Sequence, residues 1–213
     1  MQKNVYVWEF PIRLTHWLNV LSIVMLSVTG IYIGAPFIHA LYTTQYIMGT
    51  VRFLHFAFAY LFIVSLAFRI YWMFKGNRFS VWSAYNPLAK GKVKLAAEHC
   101  KFYMCIANKP PKDWLGHTAS ASLAYIGLLV LFLFMIASGS ALYYNAQPNL
   151  AVFLMGGWLG KVFSISTLRL WHHLVMWFIL TFVIVHVYLG WLLDRFEKNG
   201  IMSSIFSGYK VGE

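Results

Sequence analysis

Four long stretches of this chain carry almost no charge, and they constrain the fold more than any other feature. They cover, approximately, residues 14–34, 53–74, 119–143 and 170–193. A helix of about 20 apolar residues spans the hydrocarbon core of a bilayer. A backbone in lipid must satisfy its own hydrogen bonds, which favours helices. We therefore predict an all-α integral membrane protein: a four-transmembrane-helix bundle forming a single domain over residues 1–213.

The composition agrees with a membrane protein in a lipid bilayer. Hydrophobic residues make up 60% of the chain and charged residues only 11%, against about 25% in soluble domains. The formal net charge is +11, but the basic residues are spread over connecting segments, so we expect no nucleic acid as a partner. No Lys, Arg, Asp or Glu occurs from Leu14 to Val51. That stretch is too long for the apolar core of a signal peptide, so we expect a retained first span.

The Lys and Arg residues predict the orientation. Nine of them lie in the segment 69–112, two precede residue 14 and three follow residue 193, which makes fourteen on one side. The two remaining loops hold only Arg52, Lys161 and Arg169. Because cytoplasmic loops carry the excess of positive charge, both termini and the loop of about 75–118 are predicted to be cytoplasmic.

Four histidines lie in or at the ends of the apolar stretches: His16, His55, His172 and His186. The last two are fourteen residues apart, which is about four helical turns and about 21 Å of rise, so both face roughly the same way. Matching depth pairs His55 with His172 near the outer face and His16 with His186 near the cytoplasmic face. Ionisable groups inside membrane helices indicate function, and imidazole is a usual ligand of haem iron. We predict two haem b groups, each held by one pair.

Two alternatives remain open at these positions. The histidines of a haem-free transporter or anchor could relay protons or pack helices instead. His173 also competes with His172, but its thirteen-residue spacing to His186 turns it about 140° away, against about 40° for His172. His172 is therefore the preferred ligand.

Helical spacing adds two candidate cofactor contacts. Gly30 follows His16 by fourteen residues and is predicted to face inward at the level of the outer haem, where it would make room for a porphyrin or for close helix packing. Arg69 follows His55 by fourteen residues and is predicted to lie at the level of the inner haem. It would pair with a haem propionate there or anchor the helix at the membrane interface.

Further polar residues are weaker candidates. Arg13 and Arg52 each precede a predicted ligand by three residues, as does Arg169, and could also contact propionates or simply flank the helices. His117, at the start of the third span, is a candidate for binding a quinone or its proton, or for capping the helix. His39 and His99 are expected to be solvated in loops.

The two cysteines indicate no covalent haem attachment. Cys100 and Cys105 have the spacing C-x4-C, and the chain has no C-x-x-C-H motif. Any haem is therefore bound non-covalently, and we expect ordinary free thiols.

Several short motifs are distributed along the chain around the predicted ligands. They are Pro11-Ile12-Arg13-Leu14-Thr15-His16-Trp17, Arg52-Phe53-Leu54-His55, Arg69-Ile70-Tyr71-Trp72, Gly76-Asn77-Arg78, Trp171-His172, His186-Val187-Tyr188 and Gly208-Tyr209. With these motifs the chain resembles the b-type cytochrome subunit of respiratory nickel–iron hydrogenases, a cytochrome b561-like family with two haems. The resemblance covers nearly the whole chain, whereas the histidine set alone is shared with gamma subunits of formate dehydrogenase.

The resemblance implies a role in the respiratory chain of a bacterial inner membrane. The partners would be an iron–sulfur small subunit with a membrane anchor helix and, through it, the nickel–iron large subunit that oxidises hydrogen outside the membrane. Electrons would pass through the outer and then the inner haem to a membrane quinone, either menaquinone or ubiquinone. The chain would be the quinone-reducing subunit of a hydrogen:quinone oxidoreductase, with hydrogen activation on the partner chains. A formate dehydrogenase subunit and a free-standing quinone-reactive cytochrome b561 remain alternatives.

Overall fold

Four long helices form the body of the protein in a computed structural model. The structure describes residues 3–38, 42, 45–86, 91–104, 106–109, 116 and 118–212. The long helices are α1 (Phe10–Gly34), α2 (Ile47–Lys75), α5 (Ala119–Tyr144) and α7 (Ile165–Glu197). The shorter helices between and after them are α3 (Trp82–Tyr85), α4 (Lys92–Tyr103), α6 (Leu150–Met155) and α8 (Ile201–Ser207), and a 3-10 helix covers Gly157–Lys161.

The prediction of four apolar helices is confirmed, because each long helix is long and apolar enough to cross a membrane. Helices α2 and α7 extend beyond both ends of their predicted spans and α1 begins four residues earlier, whereas α5 begins at the predicted residue and ends one residue later. Helix α7 has 33 residues, which is about 50 Å and longer than a bilayer core requires. It begins where the Ser164 hydroxyl accepts a hydrogen bond from the Thr167 amide, and it ends at Lys198 in the left-handed conformation. At α7, capping residues rather than the loss of hydrophobicity therefore determine the ends.

The two ends of the chain lie together. Strand β1 (Lys3–Tyr6) pairs antiparallel with strand β2 (Tyr209–Gly212), with Lys3 opposite Gly212 and Tyr6 opposite Tyr209. The carbonyl of Gly208 also accepts hydrogen bonds from the Val7 and Trp8 amides, at 2.8 and 3.0 Å. The N-terminal and C-terminal segments therefore occupy the same end of the bundle.

One hydrophobic cluster joins the long helices at mid-height. Its buried members are Phe62 and Leu66 of α2, Phe132 of α5, and Val175 and Ile179 of α7, and side chains of α1 pack against them. The Phe62 and Phe132 rings meet edge to face, with centroids 4.9 Å apart. The cluster therefore holds the helices at a fixed separation midway along the bundle.

The segment Gly76-Asn77 fastens the end of α2 to the start of the chain. One carboxylate oxygen of Glu9 accepts hydrogen bonds from Trp72 Nε1 at 2.9 Å and from the Asn77 amide at 2.8 Å. The Asn77 side chain donates to the Val7 carbonyl at 3.0 Å. A Cβ at Gly76 would lie 2.9 Å from a backbone oxygen of α2, so this close turn requires glycine.

Candidate functional site

His16 and His186 face each other at the end of the bundle where the termini lie. They project from α1 and α7, and their ring centroids are 6.5 Å apart with an interplanar angle of 49°. A metal–imidazole nitrogen bond is about 2 Å long, so two imidazoles on opposite sides of one metal have ring centres about 6 Å apart. The separation fits a pair of axial ligands to one iron.

His55 and His172 occupy the opposite end. They project from α2 and α7, and they are close enough to interact electrostatically. Each is hydrogen-bonded through Nδ1 to a hydroxyl at 2.8 Å, His55 to Thr29 of α1 and His172 to Ser138 of α5. Each hydroxyl therefore holds the ring of a histidine on a neighbouring helix.

The hydroxyl hydrogen bonds determine which histidine nitrogen carries the proton. Thr29 donates its own proton to the Met25 carbonyl at 2.6 Å, and Ser138 donates to the Phe134 carbonyl at 2.8 Å. Because each hydroxyl proton is already used, the oxygen accepts and the histidine Nδ1–H donates. The lone pair is then on Nε2, the nitrogen left available for iron. The donor set therefore fits a haem.

A glycine follows each of these hydroxyl residues and lies against the same ring. A Cβ at Gly30 would lie 3.4 Å from Cε1 of His55, and a Cβ at Gly139 would lie 3.3 Å from Cε1 of His172. The distance at Gly139 is tighter than ordinary van der Waals contact and the distance at Gly30 is at its lower limit, so the helices approach the rings closely where a side chain is missing. Gly30 was predicted to lie at this site from its spacing to His16, whereas Thr29, Ser138 and Gly139 were not predicted.

A repeated spacing relates the helix pairs α1–α2 and α5–α7. Thr29-Gly30 lies thirteen and fourteen residues after His16, and Ser138-Gly139 lies thirteen and fourteen residues after Tyr125. The second helices of the two pairs, α2 and α7, also share a spacing. Arg69 follows His55 by fourteen residues, and His186 follows His172 by fourteen. This spacing was the sequence signal that could have revealed the missed residues. At the inner level, the counterparts of His16 and His186 are Tyr125 and Arg69.

Arg69 and Tyr125 are in contact. Arg69 is 9% exposed, and its guanidinium donates from Nε to the Tyr125 hydroxyl at 3.1 Å and from Nη2 to the Tyr85 hydroxyl at 3.0 Å. The Tyr85 and Tyr125 rings stack with centroids 4.4 Å apart. Among the described residues, Arg69 Nη1 is buried without a hydrogen-bond partner. The side chain faces the protein interior and is close enough to His16 to interact electrostatically.

Tyr85, from the segment between α2 and α5, contacts both Arg69 and Tyr125. It lies in α3 and is fully buried, and burial raises the pKa of its phenol to about 12, although the Arg69 charge opposes that shift. The phenol is therefore neutral at physiological pH and acts as a hydrogen-bonding group rather than as an anion.

The remaining candidates lie in different surroundings. Arg13 donates from Nη1 to the Phe206 carbonyl of α8, and its Nε is buried with no partner in the described part of the chain. Arg52 is exposed in the first turns of α2. His173 donates from Nδ1–H to the Arg169 carbonyl at 2.8 Å, and a Cβ at Gly34 would lie 2.7 Å from its Nε2.

Two expectations concern residues between α2 and α5. The expectation that His99 is solvated is wrong, because His99 lies in α4 with no exposed surface and its Nδ1 is 3.0 Å from the Leu95 carbonyl. An amphipathic helix in the loop buries one face, which the loop composition did not reveal. Cys100 is exposed with a free thiol. His39, Cys105 and His117 lie outside the described residues.

Comparison with known proteins assigns the chain to a family. The model of the family described as "Prokaryotic cytochrome b561" matches residues 7–208. The chain belongs to the prokaryotic cytochrome b561 family. It is a cytochrome b family, so the match confirms the prediction of a b-type haem protein of electron transport and supports an integral membrane location.

Curated relatives refine the resemblance. The chain is 36% identical to the "Probable Ni/Fe-hydrogenase B-type cytochrome subunit" of Azotobacter chroococcum mcd 1, covering 99% of this chain and 90% of the relative. The protein of that name from Cupriavidus necator is also 36% identical, covering 98% and 88%. The "Probable Ni/Fe-hydrogenase 1 B-type cytochrome subunit" of Escherichia coli K12 is 34% identical, covering 96% and 90%. The resemblance to hydrogenase b-type cytochromes is therefore confirmed over nearly the full chain.

Proposed function

We propose that this chain is the membrane cytochrome of a nickel–iron hydrogenase and carries electrons between that enzyme and a membrane quinone. The observation that carries the proposal is the arrangement of two histidine pairs at opposite ends of one helix bundle, within a cytochrome b family. The hydrogenase assignment is supported by relatives that carry that name over nearly their full length.

His55 with His172 would hold one b haem, and His16 with His186 would hold the other. A haem held by two histidines would supply one-electron transfer rather than oxygen chemistry. The chain's own residues hold the imidazoles: Thr29 and Ser138 orient the outer pair through Nδ1, and helix packing brings the inner rings to 6.5 Å.

Arg69 would receive a haem propionate at the inner site. Its guanidinium is fixed on two sides by phenols, and Nη1 remains unsatisfied among the described residues. A buried cation without an anionic partner is costly, and a carboxylate beside it would offset that cost. Arg13 is a weaker candidate because its Nη1 already donates to a carbonyl of α8, and Arg52 would serve at the outer end only by bending back from an exposed position.

The partners would be the iron–sulfur small subunit with its anchor helix, through it the nickel–iron large subunit, and a quinone in the cytoplasmic half of the bilayer. The excess of Lys and Arg in the tails and in the α2–α5 connection supports cytoplasmic termini in a bacterial inner membrane. The paired strands β1 and β2 agree with this proposal, since they bring both termini to one end of the bundle. Outer electron entry and inner quinone reduction would follow from that orientation.

Gentle detergent purification of the complex from a native membrane tests the proposal. We expect two b haems per chain together with a nickel–iron subunit. His55→Ala and His16→Ala each remove a ligand that belongs to one pair only, so each variant should lose one haem and keep the other. A well-folded wild-type protein without haem would overturn the proposal. Two haems with a formate dehydrogenase partner would retain the ligand set and reject the hydrogenase.

A further inference from the structure

The two histidine pairs differ in what surrounds their Nδ1 atoms. At the outer pair, each Nδ1–H donates to a hydroxyl oxygen at 2.8 Å, and that hydroxyl donates onward to a backbone carbonyl of its own helix. At the inner pair, Nδ1 of His16 is buried with no hydrogen-bond partner among the described residues. The difference lies in the chain itself and does not depend on any bound group.

A hydrogen bond from Nδ1–H makes an imidazole a more basic ligand. A more basic axial ligand favours the oxidised iron, and second-shell hydrogen bonding is one of the ways in which a protein sets a haem potential. The onward bond from hydroxyl to carbonyl polarises the hydroxyl oxygen and strengthens its acceptance. Thr29 and Ser138 are therefore both expected to lower the reduction potential of the outer haem.

At the inner site, the charge distribution is expected to raise the reduction potential of the haem. Arg69 lies near His16 and is buried, and the residues that hydrogen-bond to it are two phenols. A fixed positive charge in a medium of low dielectric favours the iron state with one more electron. A propionate would offset part of this charge. The guanidinium of Arg69 would still favour reduction of the inner haem, whereas the hydroxyls at the outer site carry no charge.

We propose that Thr29 and Ser138 are positioning residues that, through the tautomer and basicity of His55 and His172, set the outer haem at a lower reduction potential than the inner haem. The inference rests on the proposed ligand pairs and goes beyond them, because it assigns an order of potentials to the two sites. Electron transfer from the outer to the inner site is then downhill before a quinone is reached.

The test is a spectroelectrochemical titration of the b haems in the purified, detergent-solubilised complex. His55→Ala and His16→Ala identify the outer and inner components, and we expect the component lost in His55→Ala to be the lower one. Thr29→Val and Ser138→Ala remove one acceptor each. We expect each to raise the lower potential, with a combined change of about tenfold in the one-electron reduction equilibrium, which is about 59 mV. Thr29→Ser and Ser138→Thr keep the acceptor and should leave the potential near the wild-type value.

Two further variants separate this effect from the loss of any hydroxyl bonded within its own helix and from a change at the inner site. Thr181→Val removes a hydroxyl that bonds to its own helix at 2.9 Å on an exposed face, and it should move neither potential. Arg69→Gln should lower only the higher potential. If Thr29→Val loses the lower-potential haem, Ser138→Ala and the conservative Thr29→Ser and Ser138→Thr variants decide the inference from their potentials.

The inference is overturned if the two acceptor-removing variants bind both haems with unchanged potentials, or if they move the inner component instead. It is also overturned if His55→Ala removes the higher component. A wild-type complex without haem would refute the proposed function itself, so the two failures are distinguishable.

Discussion

Gly139 and Gly127 lie on the same helix in opposite surroundings, and matched substitutions at them test the structure of the outer site. A Cβ at Gly139 would lie 3.3 Å from Cε1 of His172, whereas a Cβ at Gly127 would meet nothing within 4 Å. The His172 ring has little freedom to retreat, because its Nδ1 is held by Ser138 at 2.8 Å. A side chain is therefore expected to be tolerated at Gly127 and to displace the histidine at Gly139.

The expected magnitudes follow from helix propensity and packing. Replacing glycine by alanine inside a helix stabilises it by about 1 kcal/mol, and Gly127→Ala should show most of that gain. Gly139→Ala has the same gain, offset by an overpacking cost of about 1–3 kcal/mol, so we expect a net loss of up to about 2 kcal/mol. Gly139→Leu places three more carbons toward the imidazole and should prevent ligation at the outer site.

The assay is the haem content per chain together with the thermal midpoint of the purified complex in detergent. Gly127→Ala and Gly127→Leu should retain two haems and a midpoint at or above that of the wild type. Gly139→Ala should lower the midpoint, and Gly139→Leu should retain only the inner haem. If Gly139→Leu binds two haems and melts like Gly127→Leu, the close approach of α5 to His172 is refuted.

Substitutions at three further positions, Phe62, Glu9 and Tyr85, test the contacts that hold the bundle together. Phe62→Ala empties the mid-height cluster and should destabilise the bundle by about 3–5 kcal/mol, measured as a lower thermal midpoint, while the exposed Tyr60→Ala on the same helix should have little effect. Glu9→Ala leaves an indole and a backbone amide of the α2 end without their acceptor and should cost about 1–3 kcal/mol; Glu9→Gln, which keeps one acceptor oxygen, should restore part of it. Tyr85 has a folded-state pKa of about 12 above its ordinary value of about 10, so its contribution to stability is present below pH 10 and is lost as the pH rises toward 12. Tyr85→Phe should flatten the fall in thermal midpoint between pH 10 and pH 12, and an unchanged slope would contradict the burial of this phenol.

The sequence alone was sufficient for the number of membrane helices and for the family. Apolar stretches of the length of a bilayer leave a chain few alternatives to helices, and four of them were readable from the absence of charge. The depth of His16, His55, His172 and His186 also followed from counting, because helical rise is uniform along a span. The ends of the helices did not follow, because hydroxyl caps such as Ser164 extend α7 past the apolar stretch.

The side chains that support the histidines were decided by the tertiary structure. Thr29 and Ser138 are ordinary small polar residues in a helix, and only the packing of α1 against α2 and of α5 against α7 brings their hydroxyls to the imidazoles. The third span showed no histidine, so its relation to the first was hidden until Tyr125 appeared at the position equivalent to His16, bonded to Arg69.

Rise and rotation along a helix are properties of that helix alone, whereas contacts between helices depend on how the helices pack. This is why the sequence predicts the first and not the second. Composition and spacing determined that this chain has four helices long and apolar enough to cross a membrane, with its histidines at two levels along them, because those properties belong to each helix by itself. Which hydroxyl fixes which Nδ1, and that the guanidinium of Arg69 is held between two phenols, depends on how neighbouring helices are turned and how closely they approach. Those quantities result from packing many side chains at once, and no single segment of the sequence contains them.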